Sequence, residues 1–189
     1  YFTRLKKKYA KGIELRGKTL GIIGFGRIGQ NTAKYALGAG MNILAYDPFM
    51  EKASIEMDIA EQKIEVTIET TSMEELLSNS DFISLHVPMP KDGNAIIGSN
   101  EFEKMKDGVR IVNAARGGVI DEQALINALH SNKVSFAALD VFVGEPKPSK
   151  ELLNNEKISL TPHIGAATLE AQDRIGEELA QKIINFYKK

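Results

Sequence analysis

Two stretches of this chain carry residue types at spacings that could do chemistry. The first is Gly24-Phe25-Gly26-Arg27-Ile28-Gly29, directly after the apolar run Thr19-Leu20-Gly21-Ile22-Ile23. Each glycine has a separate physical reason. Gly24 permits a tight turn, Gly26 lets a pyrophosphate approach the main chain, and Gly29 lets strand and helix pack closely. The N–H groups opening the next helix, with the positive end of its dipole, then favour the anion. The alternative is a strand-to-helix turn that binds nothing. Asp47 weighs against that alternative. It ends the next apolar run, about 20 residues beyond the turn, where a carboxylate accepts hydrogen bonds from both hydroxyls of an adenosine ribose and repels a 2′-phosphate. NAD is therefore expected in preference to NADP; the competing reading of Asp47 is a turn residue before Pro48.

The second stretch is Ser159-Leu160-Thr161-Pro162-His163-Ile164-Gly165-Ala166-Ala167-Thr168. Pro162 restricts the backbone of Thr161, and Gly165 lets the chain turn toward a following helix. On these residues alone His163 is as readily a polar turn residue as a proton carrier. Of the other histidines, His86 closes an apolar run and reads as a packed strand-end residue. His130 falls in the last turn of a helix, where a partly cationic ring suits the dipole, and reads as structural.

The elements that must hold these groups alternate short apolar runs with longer helical patterns, the signature of a parallel sheet covered on both faces. Strands are expected at Thr19–Ile23, Asn42–Tyr46, Phe82–His86, Val109–Asn113, Ser135–Leu139 and Ile158–Leu160, apolar on successive residues as in strands buried on both faces. Helices are expected at Ile28–Leu37, Met73–Leu77, Asn100–Lys104, Asp121–His130 and Leu169–Tyr187, with a Ser72/Glu75 capping box and Asp121 as an N-cap. The stretch from Glu51 to Thr70 is expected to hold a helix and an edge strand. Together these make an α/β, doubly wound, Rossmann-like domain of about six or seven strands.

Composition agrees. The length of 189 residues suits one domain, and the net charge of −1 gives no global attraction to nucleic acid or to an anionic membrane. The lysines in Leu5-Lys6-Lys7-Lys8 read as a solvated helix face. There is no cysteine, which excludes disulfides and thiolate metal sites; no metal is expected. No apolar run reaches the ~18 residues of a membrane span and no signal peptide is visible, so a cytoplasmic protein is expected.

Three further segments raise the reading from nucleotide binder to enzyme: Val112-Asn113-Ala114-Ala115-Arg116-Gly117-Gly118, Leu139-Asp140-Val141-Phe142-Val143-Gly144-Glu145-Pro146, and Thr161-Pro162-His163-Ile164-Gly165-Ala166. With the glycine turn they resemble the NAD-dependent D-2-hydroxyacid dehydrogenase family, from about Gly17 to the carboxyl end. Pro162–Ala166 continuing into Glu170-Ala171-Gln172 and Ile175-Gly176 most resembles the branch that acts on 3-phosphoglycerate, a step of serine biosynthesis. The resemblance implies that Arg116 holds the substrate carboxylate through two parallel hydrogen bonds, fixing the α-carbon for hydride transfer. It implies His163 as general acid–base and Glu145 as the partner that fixes its tautomer and favours its protonated form. Asp140 is expected at the nicotinamide end of NAD. Gly24, Gly26, Arg27, Ile28, Gly29, Asp47, Val87, Pro88, Ala114, Ala115, Arg116, Asp140, His163, Gly165 and Ala166 are expected around the cofactor. Similar enzymes often carry threonine where this chain has Val87, so contact there is expected through the backbone. For Arg116, Glu145 and Asp140 the alternatives are a surface ion pair, a loop carboxylate and a strand-end cap.

Family members have a second domain built from both ends of the chain. Residues 1–16 and 168–189 are expected as connecting helices around an NAD-binding domain at 17–167, with the substrate-binding domain outside this chain, which opens on Tyr1 rather than Met. A homodimer through the nucleotide domain is implied, as is a small 2-hydroxy or 2-oxo acid substrate, and the chain alone is expected to bind NAD but to turn over poorly. The rival from another class is a non-catalytic NAD-sensing module like the C-terminal-binding transcriptional corepressors, which can keep the Arg, Glu and His. Glycerate/hydroxypyruvate or lactate chemistry is the alternative within the family. A Rossmann methyltransferase would leave Arg116, Glu145 and His163 unexplained.

Overall fold

The computed structural model describes residues 1–188 apart from 9 and 11. Six strands form one parallel sheet: β1 (Thr19–Ile23), β2 (Asn42–Tyr46), β5 (Phe82–Leu85), β6 (Val109–Asn113), β7 (Val134–Leu139) and β8 (Ile158–Leu160). Their spatial order is β2-β1-β5-β6-β7-β8, and Thr70 adds an isolated parallel bridge to Ala45 outside β2. The order reverses between β1 and β5. At such a switch point the loops leaving neighbouring strands part to opposite faces and open a crevice at the carboxyl ends of the strands.

Each face of β1 is packed, for reasons visible in its side chains. Leu20 and Ile22 meet Ala33 and Ala36 of α2 (Arg27–Gly38), whose small residues let helix and sheet approach. On the opposite face Ile23 joins Leu76 and Leu77 of α3 (Met73–Asn79). Gly21 is required on that face, since a Cβ there would lie 2.3 Å from Ser80 Oγ and 2.7 Å from Leu76 Cδ2. The same core runs on through Phe102 of α4 (Ser99–Lys104) and Leu125 and Leu129 of α5 (Glu122–His130), all buried. Each fully buried Leu or Ile contributes about 1.5–3 kcal/mol. Asp121 caps α5 by accepting from Ala124 N at 2.9 Å, and Ser72 caps α3 by accepting from Glu75 N at 3.1 Å. The Glu75 carboxylate accepts from Thr71 Oγ1.

Three expectations need correction. Residues 51–70 hold no helix. They form an antiparallel hairpin, β3 (Lys52–Ile59) and β4 (Gln62–Glu69), in full register from Lys52↔Glu69 to Ile59↔Gln62. Ile55 and Ile68 are buried in the α2-side core, while Ser54, Glu56, Thr67 and Glu69 face outward, the period-2 alternation of a half-buried strand. Second, the sheet is not covered throughout. Val112 on β6 and Phe136 on β7 are 36% and 49% exposed, because the helices packed on these strands lie on the other face. Third, the amino-terminal helix is shorter than 1–16. α1 covers Phe2–Lys8, residues 12–16 are not helical, and Gly12 and Gly17, the latter at φ 73°, disfavour its continuation. Residues 9 and 11, and Lys189 at the other end, lie outside the described residues. Strand β5 stops before His86. The short α6 (Lys150–Leu153) precedes β8, and α7 (Leu169–Tyr187) follows it with no buried residue.

Candidate functional site

The glycine turn sits at the carboxyl end of β1, at the switch point. Gly24 has φ 91°, and a Cβ on it would meet the His86 carbonyl oxygen at 2.5 Å; a Cβ on Gly29 would meet the Gly24 oxygen at 2.2 Å. Both glycines are therefore required by the protein itself. Gly26 is different. It is exposed, it N-caps α2 without any side-chain cap, and nothing lies within 4 Å of a Cβ built on it. The space that Gly26 keeps open, facing the uncapped start of a helix, fits the pyrophosphate of a dinucleotide. Asp47 stands beside it: its Oδ2 accepts from Phe25 N at 2.8 Å and its Oδ1 from Phe49 N at 2.9 Å. The carboxylate so fastens the turn and keeps further lone pairs able to accept hydrogen bonds from a ligand. Arg27 directs its guanidinium to α7, where Nη1 and Nη2 lie 3.3 and 3.4 Å from the Glu178 carboxylate. Lys182, and then Arg27, hold the Glu178 carboxyl at about 2.

Beyond the turn, a cleft of about 190 Å³ is lined by Ile28, His86, Val87, Pro88, Ala114, Ala115 and Arg116. Six of the expected cofactor residues thus meet in one cavity. The Ala114–Arg116 loop is shaped by Asn113, a residue outside the sequence-based expectation. Asn113 is buried at the end of β6, its Oδ1 accepting from Ala115 N and its Nδ2 donating to the Arg116 carbonyl, each at 3.0 Å. An Asn ending a strand just before such a loop is the local signal, because its amide can take over main-chain partners. The exposed Arg116 side chain donates from Nη1 to the Ala115 carbonyl at 2.6 Å.

His163 lies across from this loop with φ 55°, a left-handed conformation uncommon for a residue with a Cβ. What holds it there is Asp140, buried at the end of β7. Asp140 Oδ1 accepts from Thr161 Oγ1 at 2.6 Å and Ile164 N at 2.8 Å, and Oδ2 accepts from Gly165 N at 2.8 Å. Burial raises the Asp140 carboxyl, but these three donors and the nearby His163 outweigh it and leave it below its ordinary value. A Cβ on Gly165 would stand 2.9 Å from Asp140 Oδ2 and 3.8 Å from the Ala114 side chain, so this loop abuts the cleft that Ala114 lines. Ala166 is exposed on the way to α7.

His163 Nδ1 and Glu145 Oε2 are 2.8 Å apart. The other Glu145 oxygen accepts from Phe142 N at 2.8 Å. The His163 bond, then the Phe142 N–H, hold the Glu145 carboxyl below its ordinary value, so it is an anion near neutral pH. With Nδ1 engaged, Nε2 is the ring atom that can exchange a proton with a ligand. Both residues line a second cleft of about 370 Å³ with Phe142, Leu160 and Pro162. The loop carrying Glu145 is tied down by Glu122, whose Oε1 accepts from Val143 N at 2.7 Å. Glu122, too, lies outside the sequence-based expectation. Burial raises its carboxyl above the ordinary value, the Val143 N–H offsetting part of this. His86 bonds through Nε2 to Ser84 Oγ at 2.9 Å, and burial lowers its pKa, leaving it neutral. His130 ends α5. Among the described residues no group of three or more His, Asp or Glu could hold a metal ion, and no helix is long and apolar enough to cross a membrane.

Comparison with known proteins matches residues 3–165 to the family described as D-isomer specific 2-hydroxyacid dehydrogenase, NAD binding domain. D-3-phosphoglycerate dehydrogenase of Archaeoglobus fulgidus is 46% identical over 184 residues, covering 97% of this chain and 33% of that protein. Hydroxypyruvate reductase of Thermotoga maritima is 49% identical over 181 residues, 94% of this chain and 56% of that protein. The chain thus spans between a third and just over half of these relatives. Among solved structures, D-lactate dehydrogenase of Aquifex aeolicus in complex with NAD and lactic acid superposes with a TM-score of 0.73 at 33% identity, covering 99% of this chain and 60% of that one.

Proposed function

The chain belongs to the D-isomer specific 2-hydroxyacid dehydrogenase family, as its NAD-binding domain, and we propose that it serves hydride transfer between a D-2-hydroxy acid and NAD, with 3-phosphoglycerate as the substrate. The observation that carries the chemistry is the His163–Glu145 pair at 2.8 Å beside the Arg116 loop. Arg116 presents a planar fork that suits a substrate carboxylate and would fix the α-carbon. His163 would take the hydroxyl proton on Nε2 and return it in the reverse direction, while Glu145 holds the ring in that tautomer. Bound NAD supplies the hydride acceptor. Gly26 and the start of α2 would receive its pyrophosphate, Asp47 its ribose, and Val87, Ala114 and Ala115 its path along the cleft. A homodimer through the nucleotide domain and a cytoplasmic setting belong to the same reading.

Phosphoglycerate is favoured by the relative from Archaeoglobus and by the Pro162–Gly176 residues. Hydroxypyruvate reduction is the second reading, favoured by the Thermotoga relative. A panel of 2-oxo acids including 3-phosphohydroxypyruvate, hydroxypyruvate and pyruvate, assayed by loss of NADH absorbance with the full-length protein, separates them. 3-Phosphohydroxypyruvate is expected to give the highest kcat/KM, and a preference for another acid overturns the substrate assignment. No turnover of any of them favours an NAD-sensing role. His163→Gln should abolish turnover and leave NAD affinity nearly intact; equal loss of both would sink its role as proton carrier.

A further inference from the structure

We propose that Glu122 is a positioning residue that fixes the Glu145–His163 pair relative to Arg116. The inference rests on the acid–base reading of that pair given above. Glu122 opens α5, just after the segment that carries Arg116, and this helix is firmly seated, with Ala124, Leu125, Ile126 and Leu129 buried. From that anchor Glu122 Oε1 reaches into a different loop and accepts from Val143 N at 2.7 Å. Val143 lies between Phe142, which donates to Glu145 Oε1, and Glu145 itself, which meets the imidazole through Oε2. Gly117 presses on the same loop: a Cβ there would fall 2.0 Å from the Phe142 carbonyl oxygen. Two contacts from the Arg116 side therefore set the register of the loop that presents Glu145.

A carboxylate in the first turn of a helix has a simpler use, as partner of the helix dipole. The two roles differ in what they need. Dipole stabilisation needs the charge and tolerates a shorter side chain, whereas holding Val143 needs an acceptor oxygen at the end of a side chain of this length. Glu122→Gln keeps the reach without the charge; Glu122→Asp keeps the charge and loses the reach.

The test reads the tautomer of His163 from ring 15N shifts in histidine-labelled protein at a pH where the ring is neutral, the signal assigned by its loss in His163→Gln. The unsubstituted chain is expected to carry its proton on Nδ1, facing Glu145. Glu122→Asp is expected to shift the population toward the Nε2-protonated form, and Glu122→Gln to restore the Nδ1 form. With full-length protein and its preferred 2-oxo acid, Glu122→Asp should lower kcat by about tenfold to a hundredfold with KM for NADH unchanged, as displacement of a reacting group by about 1 Å does. An Asp variant that keeps the Nδ1 form, a Gln variant that loses it as fully as Asp, or an unsubstituted ring already protonated on Nε2 each overturns the proposal. Absence of turnover with the Nδ1 form present would sink the dehydrogenase reading, while the tautomer populations of the two variants would still decide the role of Glu122.

Discussion

Asp47 and Asp140 both follow a strand, and their surroundings give them different work. A carboxylate offers about four acceptor sites. Asp140 spends three on Thr161, Ile164 and Gly165, so its business is to shape the His163 loop from beneath. Asp47 spends two, on Phe25 and Phe49, and remains partly open to solvent. The first division of labour was not legible from sequence, because the partners of Asp140 are more than 20 residues away along the chain. That Asp47 comes to lie beside the glycine turn was legible, because the interval between such a turn and its acid is set by one helix and one strand. If Asp47 both receives the ribose and repels a 2′-phosphate, Asp47→Asn should weaken NAD and narrow its preference over NADP by about tenfold to a hundredfold, one lost charge-assisted bond being worth roughly 1.5–3 kcal/mol. Fluorescence titration of both dinucleotides checks this; an unchanged NAD/NADP ratio removes Asp47 from the site.

At the scale of elements, the parallel strands and their helices were readable because each strand is apolar on consecutive residues and each helix keeps its own period. The hairpin was not. Lys52–Ile59 and Gln62–Glu69 alternate well enough, yet the two-residue connection Ala60-Glu61 lacks the glycine or asparagine that marks a tight hairpin turn, and Ala60 takes φ 55° without them. The glycine turn was legible as a motif, but the different reasons for its glycines needed coordinates. Gly29→Ala drives a Cβ into the Gly24 carbonyl and should cost about 1–3 kcal/mol of stability, as overpacking does. Gly26→Ala meets nothing in the protein and should melt normally; if the pyrophosphate lies where proposed, the added methyl should weaken NAD at least tenfold. Paired melting curves and titrations distinguish the two; a Gly26→Ala chain that binds normally would mean that the pyrophosphate passes elsewhere.

Over the whole molecule, the groups proposed for the cofactor and those proposed for the reaction differ in how completely this chain surrounds them. The groups proposed for the dinucleotide, a glycine turn, an acid and a cleft, all stand on one packed sheet. His163, by contrast, is 51% exposed at its side chain and Arg116 is open to solvent, so water reaches the groups proposed for the acid–base step and for the substrate carboxylate. Water there weakens every electrostatic contact with a substrate and with developing charge. Binding and turnover should therefore separate in this chain of 189 residues. NAD at a hundred times its Kd adds about 2.7 kcal/mol to the folded state, which for this length is a rise of roughly 5–10 °C in Tm. Under the same conditions NADH oxidation by 3-phosphohydroxypyruvate should run at least a hundredfold below the ~10 s⁻¹ common among enzymes. Calorimetry and an absorbance assay on one preparation decide both halves. A chain that turns over near that rate would show that the exposed pair is sufficient as it stands, and a chain whose Tm ignores NAD would show that the cleft at the switch point is not the cofactor's.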